Sequence, residues 1–260
     1  GSIAPGRIAD FIILDNLRTL SINTVYKNGL PIENEFKKSN YQFLPSLRSS
    51  VKAPKLEINN FKLKTNLINN GQVVANVIQI NPVGTFTNHI KVKLEVKNHE
   101  VQWKKANLNL IMVQDRYGKN NGNYTLGLVD RGISKDGAVG ATWAHDHHNI
   151  MIMGTNIKAM LKIQHQLIDE QGGYVVAKGN EIIEDAPLPI GGVVSDEPMT
   201  KLGEKISNIR HTLQDLGYKN TNEIMSFSTL SLLVSPQIKI SDKGLFDVKS
   251  QEKIPLFEKF

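Results

Sequence analysis

Alternating hydrophobic and polar residues along the first half of the chain predict a series of β-strands. The stretch HIKVKLEVK at residues 89–97 places Val92, Leu94 and Val96 on one side and charged residues between them, as in a half-buried strand. Other apolar stretches predicted to be strands are ADFIILD, SINTVYK, VVANVIQI, ANLNLIMVQD, NYTLGLV and NIMIMG. YVVAKGNEIIE predicts a hairpin that turns at Gly179 and Asn180.

Two segments in the second half repeat apolar residues at helical spacing. Thr155 or Asn156 can cap the first helix, and the glycine pair 172–173 ends it. Ser195 offers a cap for the second helix, and Gly217 ends it. The apolar stripes are Ile157, Met160, Leu161, Leu167 and Ile168 in the first helix, and Leu202, Ile206, Ile209, Leu213 and Leu216 in the second. The later stretch STLSLLVSPQIKI predicts a strand, a proline break and another strand.

Because strands outnumber helices and the long helices fall in the second half, the pattern predicts an α+β fold with a small all-β piece in front. The polar region from Pro31 to Pro54, which includes ENEFKKSNYQ, shows little periodicity and is predicted to be a connector or a peripheral arm.

Composition narrows the class of protein. The chain has 260 residues, 40% hydrophobic and 22% charged, as in soluble globular proteins. It contains no cysteine, which excludes disulfides and thiolate chemistry and fits a cytoplasmic location. No apolar run is long enough for a membrane span, and the first residues do not have the pattern of a signal peptide. The net charge of +6 is scattered over the chain, so no nucleic-acid partner is expected.

The stretch GATWAHDHHNIMIMGT at residues 140–155 carries three of the seven histidines within four positions. If residues 143–153 form one extended strand, His145 and His147 point to one face while Asp146 and His148 point to the other. The first pair could chelate a metal ion and the second could relay a proton. The residues could equally be polar surface at the start of a strand. Spacing alone leaves all three interpretations open.

Longer stretches resemble a known family. GSIAPGRIADFIILD is similar to the segment that follows the metal-bearing barrel in amidohydrolase-superfamily enzymes. The stretches GAVGATWAHDHHNIMIMGTN, GGYVVAKGNEIIEDAPLPIGGVVSDEP and STLSLLVSPQIKISDKGLFDV resemble the C-terminal domain of bacterial adenine deaminases. The resemblance covers essentially the whole chain. It implies that residues 1–55 are part of the amidohydrolase β-sandwich plus a connector. Residues 56–260 would then form the C-terminal α+β domain, a mixed β-sheet with two or more helices.

The resemblance implies an activity. Adenine deaminases hydrolyse adenine to hypoxanthine and ammonia with a metal-activated water, using Mn²⁺ or Fe²⁺ held in a (β/α)8 barrel. The barrel and its ligands precede the first matching segment in the family, so this segment alone is expected to be inactive. Its expected partners are adenine, the barrel and further copies of the chain in a homo-oligomer, with no membrane. The alternatives are an autonomous metal- or purine-binding module and a structural or oligomerisation domain.

The resemblance also selects residues within the cluster. The family pattern His-Asp-Ser-His-Asn matches His145, Asp146, His148 and Asn149, and His147 stands at the serine position. These four matching residues are therefore predicted to be catalytic candidates that face the active site in the barrel. The resemblance further predicts a possible accessory metal site formed by His145, Asp146 and His148, or no metal on this segment at all.

Overall fold

The computed structural model describes residues 1–32 and 42–260, without the side chain of Asn120. Its contacts divide the chain into two compact units, Gly1–Gln42 and Phe43–Phe260. Residues 33–41, which belong to the predicted polar connector, lie outside the described residues. Residues 43–55 cluster with the larger unit. The assignment of residues 1–55 to one domain stays a prediction.

The smaller unit contains a three-stranded antiparallel sheet, formed by β1 (Phe11–Asn16), β2 (Ser21–Lys27) and β3 (Leu30–Pro31). The first two strands confirm the strands predicted from ADFIILD and SINTVYK. Several of their apolar side chains are not covered, including Ile12, which is 54% exposed, and Ile22, which is 58% exposed. The unit therefore leaves apolar surface open to solvent.

The larger unit is built on one ten-stranded sheet. Its strands are β4 (Gly71–Ile80), β5 (Thr87–Lys97), β6 (Glu100–Val101), β7 (Asn109–Gln114), β8 (Tyr124–Asp130), β9 (Gly137–Ala141), β10 (Ile150–Gly154), β11 (Gly173–Lys178), β12 (Glu181–Pro187) and, after a small sheet, β16 (Phe257–Lys259). The small sheet contains β13 (Ile238–Ser241), β14 (Gly244–Asp247) and β15 (Glu252–Ile254). The helices are α1 (Ile157–Asp169), α2 (Met199–Asp215) and α3 (Glu223–Ser228).

The large sheet has the order β12-β11-β9-β10-β7-β8-β4-β5-β6, and β16 pairs with β4. All of its described pairs are antiparallel except β4 with β8, which run parallel. The mixed sheet and its helices confirm the predicted α+β fold.

Both faces of the central strands are buried. Along β10, Ile150 and Ile152 enter one hydrophobic core together with α1, while Met151 and Met153 enter a second core together with α2, α3 and the small sheet. This double burial explains why NIMIMG is a continuous apolar run without alternation. Gly140 in β9 allows α1 to approach closely, since a Cβ there would lie 2.4 Å from Ile163 Cγ2.

Helix α1 begins as predicted. The Asn156 side chain accepts hydrogen bonds from the backbone N–H groups of Lys158 and Ala159, so Asn156 is the N-cap. The prediction that Ser195 caps the second helix is wrong. Ser195 Oγ instead accepts from the Glu197 N–H in a local turn, and α2 begins at Met199.

The strand predicted from STLSLL is also wrong. Its first residues belong to the end of α3, which is capped by the Asn222 side chain, and to a 3-10 turn over Thr229–Ser231. Thr229 Oγ1 donates to Met225 O at 2.7 Å, a local bond that favours the helical turn over an extended strand. The second predicted strand, QIKI, is confirmed by β13. Within the described residues, no helix combines the length and apolar character needed to cross a membrane.

Candidate functional site

The cluster at residues 145–149 forms a turn between β9 and β10, which we call the histidine turn. Residues 143–153 do not form one extended strand, because β10 begins only at Ile150. The His148 N–H donates to Ala144 O at 2.7 Å and closes the chain on itself, with His148 at a φ of 50°. A strand-like alternation of His145 and His147 against Asp146 and His148 therefore does not exist.

The start of the histidine turn is held by the segment that follows α3. The His145 N–H donates to Ser228 O at 3.0 Å, and Ser231 Oγ donates to His145 O at 3.1 Å. Ser228 and Ser231 are buried. The segment STLS, which forms the end of α3 and the 3-10 turn instead of the expected strand, thus fixes the backbone of His145.

Asn149 ties the end of the turn to two distant loops. Its Oδ1 accepts from the Arg116 N–H at 3.2 Å, and its Nδ2 donates to Asp242 Oδ1 at 3.1 Å. Asn149 is 4% exposed, and both the oxygen and the nitrogen of its side-chain amide are hydrogen bonded. These bonds hold the end of the turn in place.

Arg116 follows β7 and lies beneath the turn. It is 4% exposed, and its guanidinium donates to Gly191 O at 2.5 Å and to Tyr117 Oη at 2.8 Å. Tyr117 Oη in turn donates to His147 O at 3.0 Å. A Cβ at Gly192, which has a φ of 73°, would lie 1.8 Å from Arg116 Nη1. The second glycine of the family-like stretch LPIGG therefore makes room for this arginine.

Sequence reasoning missed Asp115, Arg116 and Asp242. Asp115 and Arg116 directly follow the apolar stretch NLIMVQ, and this position could have marked them as candidate site residues, since loops at strand ends often carry functional polar groups. Asp242 lies in a turn 93 residues after Asn149, and no pattern in the sequence connects the two.

The three histidines differ in environment. His145 is partly buried, with its ring 4.8 Å from that of Trp143 and 5.6 Å from that of His148, both edge to face. His147 Nδ1 accepts from the Asn149 N–H at 3.0 Å, so its neutral form carries the proton on Nε2. Asp146 is the exposed member of the turn, and its Oδ1 lies 3.8 Å from His145 Nδ1.

Burial and neighbouring charge keep two of these rings neutral. Burial, followed by the charge of His148, lowers the pKa of His147 to about 4, although Asp146 partly opposes this shift. Burial also lowers the pKa of His148, and the charges of His145 and Arg116 act in the same direction. At neutral pH, His147 and His148 are therefore imidazoles that can accept a proton or a hydrogen bond.

Unsatisfied polar atoms concentrate around the turn. Within the described residues, eleven buried side-chain nitrogen or oxygen atoms have no hydrogen-bond partner, and five of them lie in this cluster. They are Asp115 Oδ2, Arg116 Nε, His145 Nε2, His147 Nε2 and His148 Nδ1. Because leaving a buried polar group unpaired costs about 1–3 kcal/mol, such a concentration is typical of a functional site.

The same atoms do not form a metal-binding set. In the part of the chain that the structure describes, no three His, Asp or Glu side chains are grouped so that they could hold a metal ion. The accessory metal site at His145, Asp146 and His148 stays a prediction from the family resemblance alone.

The lowered pKa of His147 predicts an acid-sensitive stability. As pH falls below the ordinary value of 6.5, the unfolded chain takes up this proton before the folded chain does. The contribution to the free energy of unfolding is complete above about pH 6.5 and is lost as pH falls towards about 4, by roughly 3 kcal/mol. We expect His147→Ser to flatten the profile between pH 7 and 4.5 in urea unfolding with EDTA present. His211→Ser, at an exposed position in α2, is the control, and equal slopes in both variants would contradict the prediction.

Comparisons with known proteins identify the family of the chain. Residues 84–252 match the model of the adenine deaminase C-terminal domain. The chain is 64% identical over 258 residues to the adenine deaminase of Lactobacillus delbrueckii subsp. bulgaricus, covering 99% of this chain and 46% of that protein. It is 49% identical to adenine deaminase 2 of Oenococcus oeni, covering 98% of this chain and 45% of that protein. An adenine deaminase of Clostridium perfringens is 46% identical, with coverages of 100% and 46%.

The chain thus spans slightly less than half the length of the curated relatives it matches. The family match includes the histidine turn, the LPIGG segment and Asp242, which the fold brings together. On this evidence, the chain belongs to the adenine deaminase C-terminal domain family.

Proposed function

We propose that the chain is the C-terminal part of an adenine deaminase that hydrolyses adenine to hypoxanthine and ammonia. The observation that carries this proposal is the 64% identity to one such enzyme over 99% of the chain. The solvent-exposed apolar side chains of β1 and β2, such as Ile12 and Ile22, are consistent with a small unit that packs against further strands of a longer protein. We further propose a homo-oligomeric enzyme in the cytoplasm.

Within that enzyme, the histidine turn faces the active site. Asp146 is the exposed member of the turn and the three histidines are partly exposed; we assign Asp146 and His145 to the contact with substrate or with other catalytic groups. His148 lies next to His145, with the two ring centroids 5.6 Å apart, and burial lowers its pKa, so that its ring is neutral at neutral pH. Asn149 acts as a positioning residue, because both ends of its amide are bonded within the domain.

The proposed reaction requires Mn²⁺ or Fe²⁺ to activate the attacking water. The described residues of this chain do not fit a metal site, since no three potential ligands converge. We therefore propose that the metal ligands belong to the remainder of the full-length enzyme. The contribution of this chain is to place the imidazoles and the Asp146 carboxylate beside that centre.

Adenine turnover by the 260-residue chain tests whether the metal site lies outside this chain. With Mn²⁺ added, ammonia release should be at the background rate, because the described residues offer no metal site to activate the water. The same chain should still give the circular dichroism spectrum of an α+β fold. The full-length enzyme, assayed in parallel, is the positive control. Turnover by the chain within about tenfold of the full-length enzyme would sink the proposal.

A second function is an autonomous metal- or purine-binding module. The five unsatisfied polar atoms around the histidine turn favour its purine-binding form, because no three potential metal ligands are grouped among the described residues. Calorimetric titration of the chain with Mn²⁺, Zn²⁺ and adenine distinguishes it from the first. Heat that is abolished by His145→Ala would support the module. No heat from any of the three, while the fold is intact, would count against it.

A further inference from the structure

Tyr117 lies beside the histidine turn and contacts its middle. The residue follows β7 in a turn and is 42% exposed. Its hydroxyl donates to His147 O at 3.0 Å. Other parts of the chain hold the two ends of the histidine turn, since Ser228 O accepts from the His145 N–H and Asn149 bonds to two loops. The bond from Tyr117 therefore reaches the segment between these two anchors.

The main chain around Tyr117 is fixed on both sides. The Tyr117 N–H donates to Asp115 Oδ1 at 3.1 Å. The carbonyl of Arg116 accepts from the Lys52 N–H at 2.7 Å. Gly118 has a φ of 72°, and a Cβ at this position would lie 3.0 Å from Lys52 O, so glycine lets the loop pass close to this segment. The Tyr117 ring therefore projects from a backbone that is held in one position.

Arg116 determines where the hydroxyl proton of Tyr117 points. The Arg116 guanidinium donates to Tyr117 Oη at 2.8 Å, and a guanidinium has no atom that can accept. The hydroxyl oxygen is therefore the acceptor in this bond, and its own proton is donated to His147 O. A bond from a charged donor polarises the O–H group, so the second bond is strengthened by the first. Arg116, Tyr117 and His147 thus form a hydrogen-bonded chain that ends on the histidine turn.

This chain depends on a buried positive charge without a counter-charge. Arg116 is 4% exposed, and the arginines with a described ion pair are Arg48, Arg131 and Arg210. Within the described residues, the Arg116 guanidinium instead bonds to a backbone carbonyl and to Tyr117 Oη. Burying a charge in this way is unfavourable, because the charge loses its hydration and gains little attraction in return. Arrangements that cost stability are typical of functional sites.

The role of the Tyr117 hydroxyl can be separated from the role of its ring. Arg116 Cζ lies 4.6 Å from the ring centroid, a cation–π contact that phenylalanine would keep. Phenylalanine lacks only the oxygen that joins Arg116 to His147 O. The substitution Tyr117→Phe therefore removes the bond to the histidine turn and preserves the packing of the ring.

We propose that Tyr117 is a positioning residue for the adenine deaminase reaction. Its hydroxyl fixes the main chain of His147, and with it the direction in which the neighbouring side chains of His145 and Asp146 face the reacting groups. Tyr117 acts through the histidine turn and not by contact with the substrate. This inference rests on the proposed function, since it assigns a role in that reaction.

Steady-state kinetics of Tyr117→Phe in the proposed full-length adenine deaminase tests the inference. We expect kcat to fall about tenfold with KM within about twofold of the unsubstituted enzyme. Displaced catalytic groups raise the barrier to reaction without removing a contact to bound adenine. The matched control is Tyr124→Phe in the same unit, which removes the hydrogen bond that Tyr124 Oη accepts from Asn60 at 3.1 Å. The control should leave kcat within about twofold.

Stability measurements separate positioning from a structural role. Urea unfolding of the 260-residue chain should show similar, small losses for the two tyrosine variants, since each loses the bonds of one hydroxyl. A fall in kcat confined to Tyr117→Phe would support the inference. An unchanged kcat in Tyr117→Phe, an equal fall in both variants, or a raised KM at constant kcat would overturn it alone. Lack of adenine turnover by the unsubstituted enzyme would overturn the proposed function, and this inference with it.

Discussion

In the proposed full-length adenine deaminase, replacing His145 and His148 together with alanine should lower kcat/KM for adenine by about a hundredfold, equivalent to roughly 2.7 kcal/mol of transition-state stabilisation. The rings lie 5.6 Å apart, and each carries a buried nitrogen without a partner inside the domain. If these nitrogens act on the substrate or on a neighbouring catalytic group, their loss removes proton-transfer partners that water replaces poorly. Steady-state kinetics with the purified double variant measures the effect.

The matched control is His211→Ala, at an exposed site in α2 of the same domain. It should leave kcat/KM within about twofold, because the side chain lies on the surface of α2 away from the histidine turn. A surface substitution of this kind also seldom changes the stability by more than about 0.5 kcal/mol. Asn149→Ala adds a second comparison. It should lower both activity and thermal stability, because it frees the Arg116 N–H and the Asp242 carboxylate inside the protein. If the double histidine variant kept kcat/KM within a few fold, the turn would be surface structure and the catalytic assignment would fail.

The substitution Gly140→Ala should destabilise the domain by about 2–3 kcal/mol, because it overpacks the interface between β9 and α1. The added Cβ would lie 2.4 Å from Ile163 Cγ2 and 3.0 Å from Ile152 Cγ1. Both neighbours are fully buried, so neither can move aside freely. The shift in the urea unfolding midpoint at constant slope reports the loss.

Gly203→Ala is the control that separates packing from backbone effects. Gly203 lies in α2, and a Cβ there would meet nothing within 4 Å. Alanine should therefore stabilise this helix by up to about 1 kcal/mol. The two glycine-to-alanine changes are thus expected to have opposite signs. A Gly140→Ala protein as stable as the unsubstituted chain would show that α1 can move away from the sheet.

Local pattern was sufficient for most of the sheet. The apolar stretches form strands because their residues pack on one or both faces of the sheet. The turn at Gly179 and the N-cap at Asn156 depend only on residues a few positions away in the sequence. The two wrong predictions, the Ser195 cap and the STLSLL strand, also concern local hydrogen bonds. The Ser and Thr hydroxyls near Ser195 and Thr229 bond to nearby backbone groups, and spacing alone does not tell which of several turns these bonds will favour.

The family, the strands and the histidine-rich stretch were therefore determined by the sequence alone, because they depend on residue order and short-range periodicity. The tertiary structure decided what those residues face. It closed residues 145–149 into a turn and brought Arg116 and Asp242 to Asn149. Such groupings join residues far apart in the chain, so they arise only when burial of both sheet faces fixes the order of the strands.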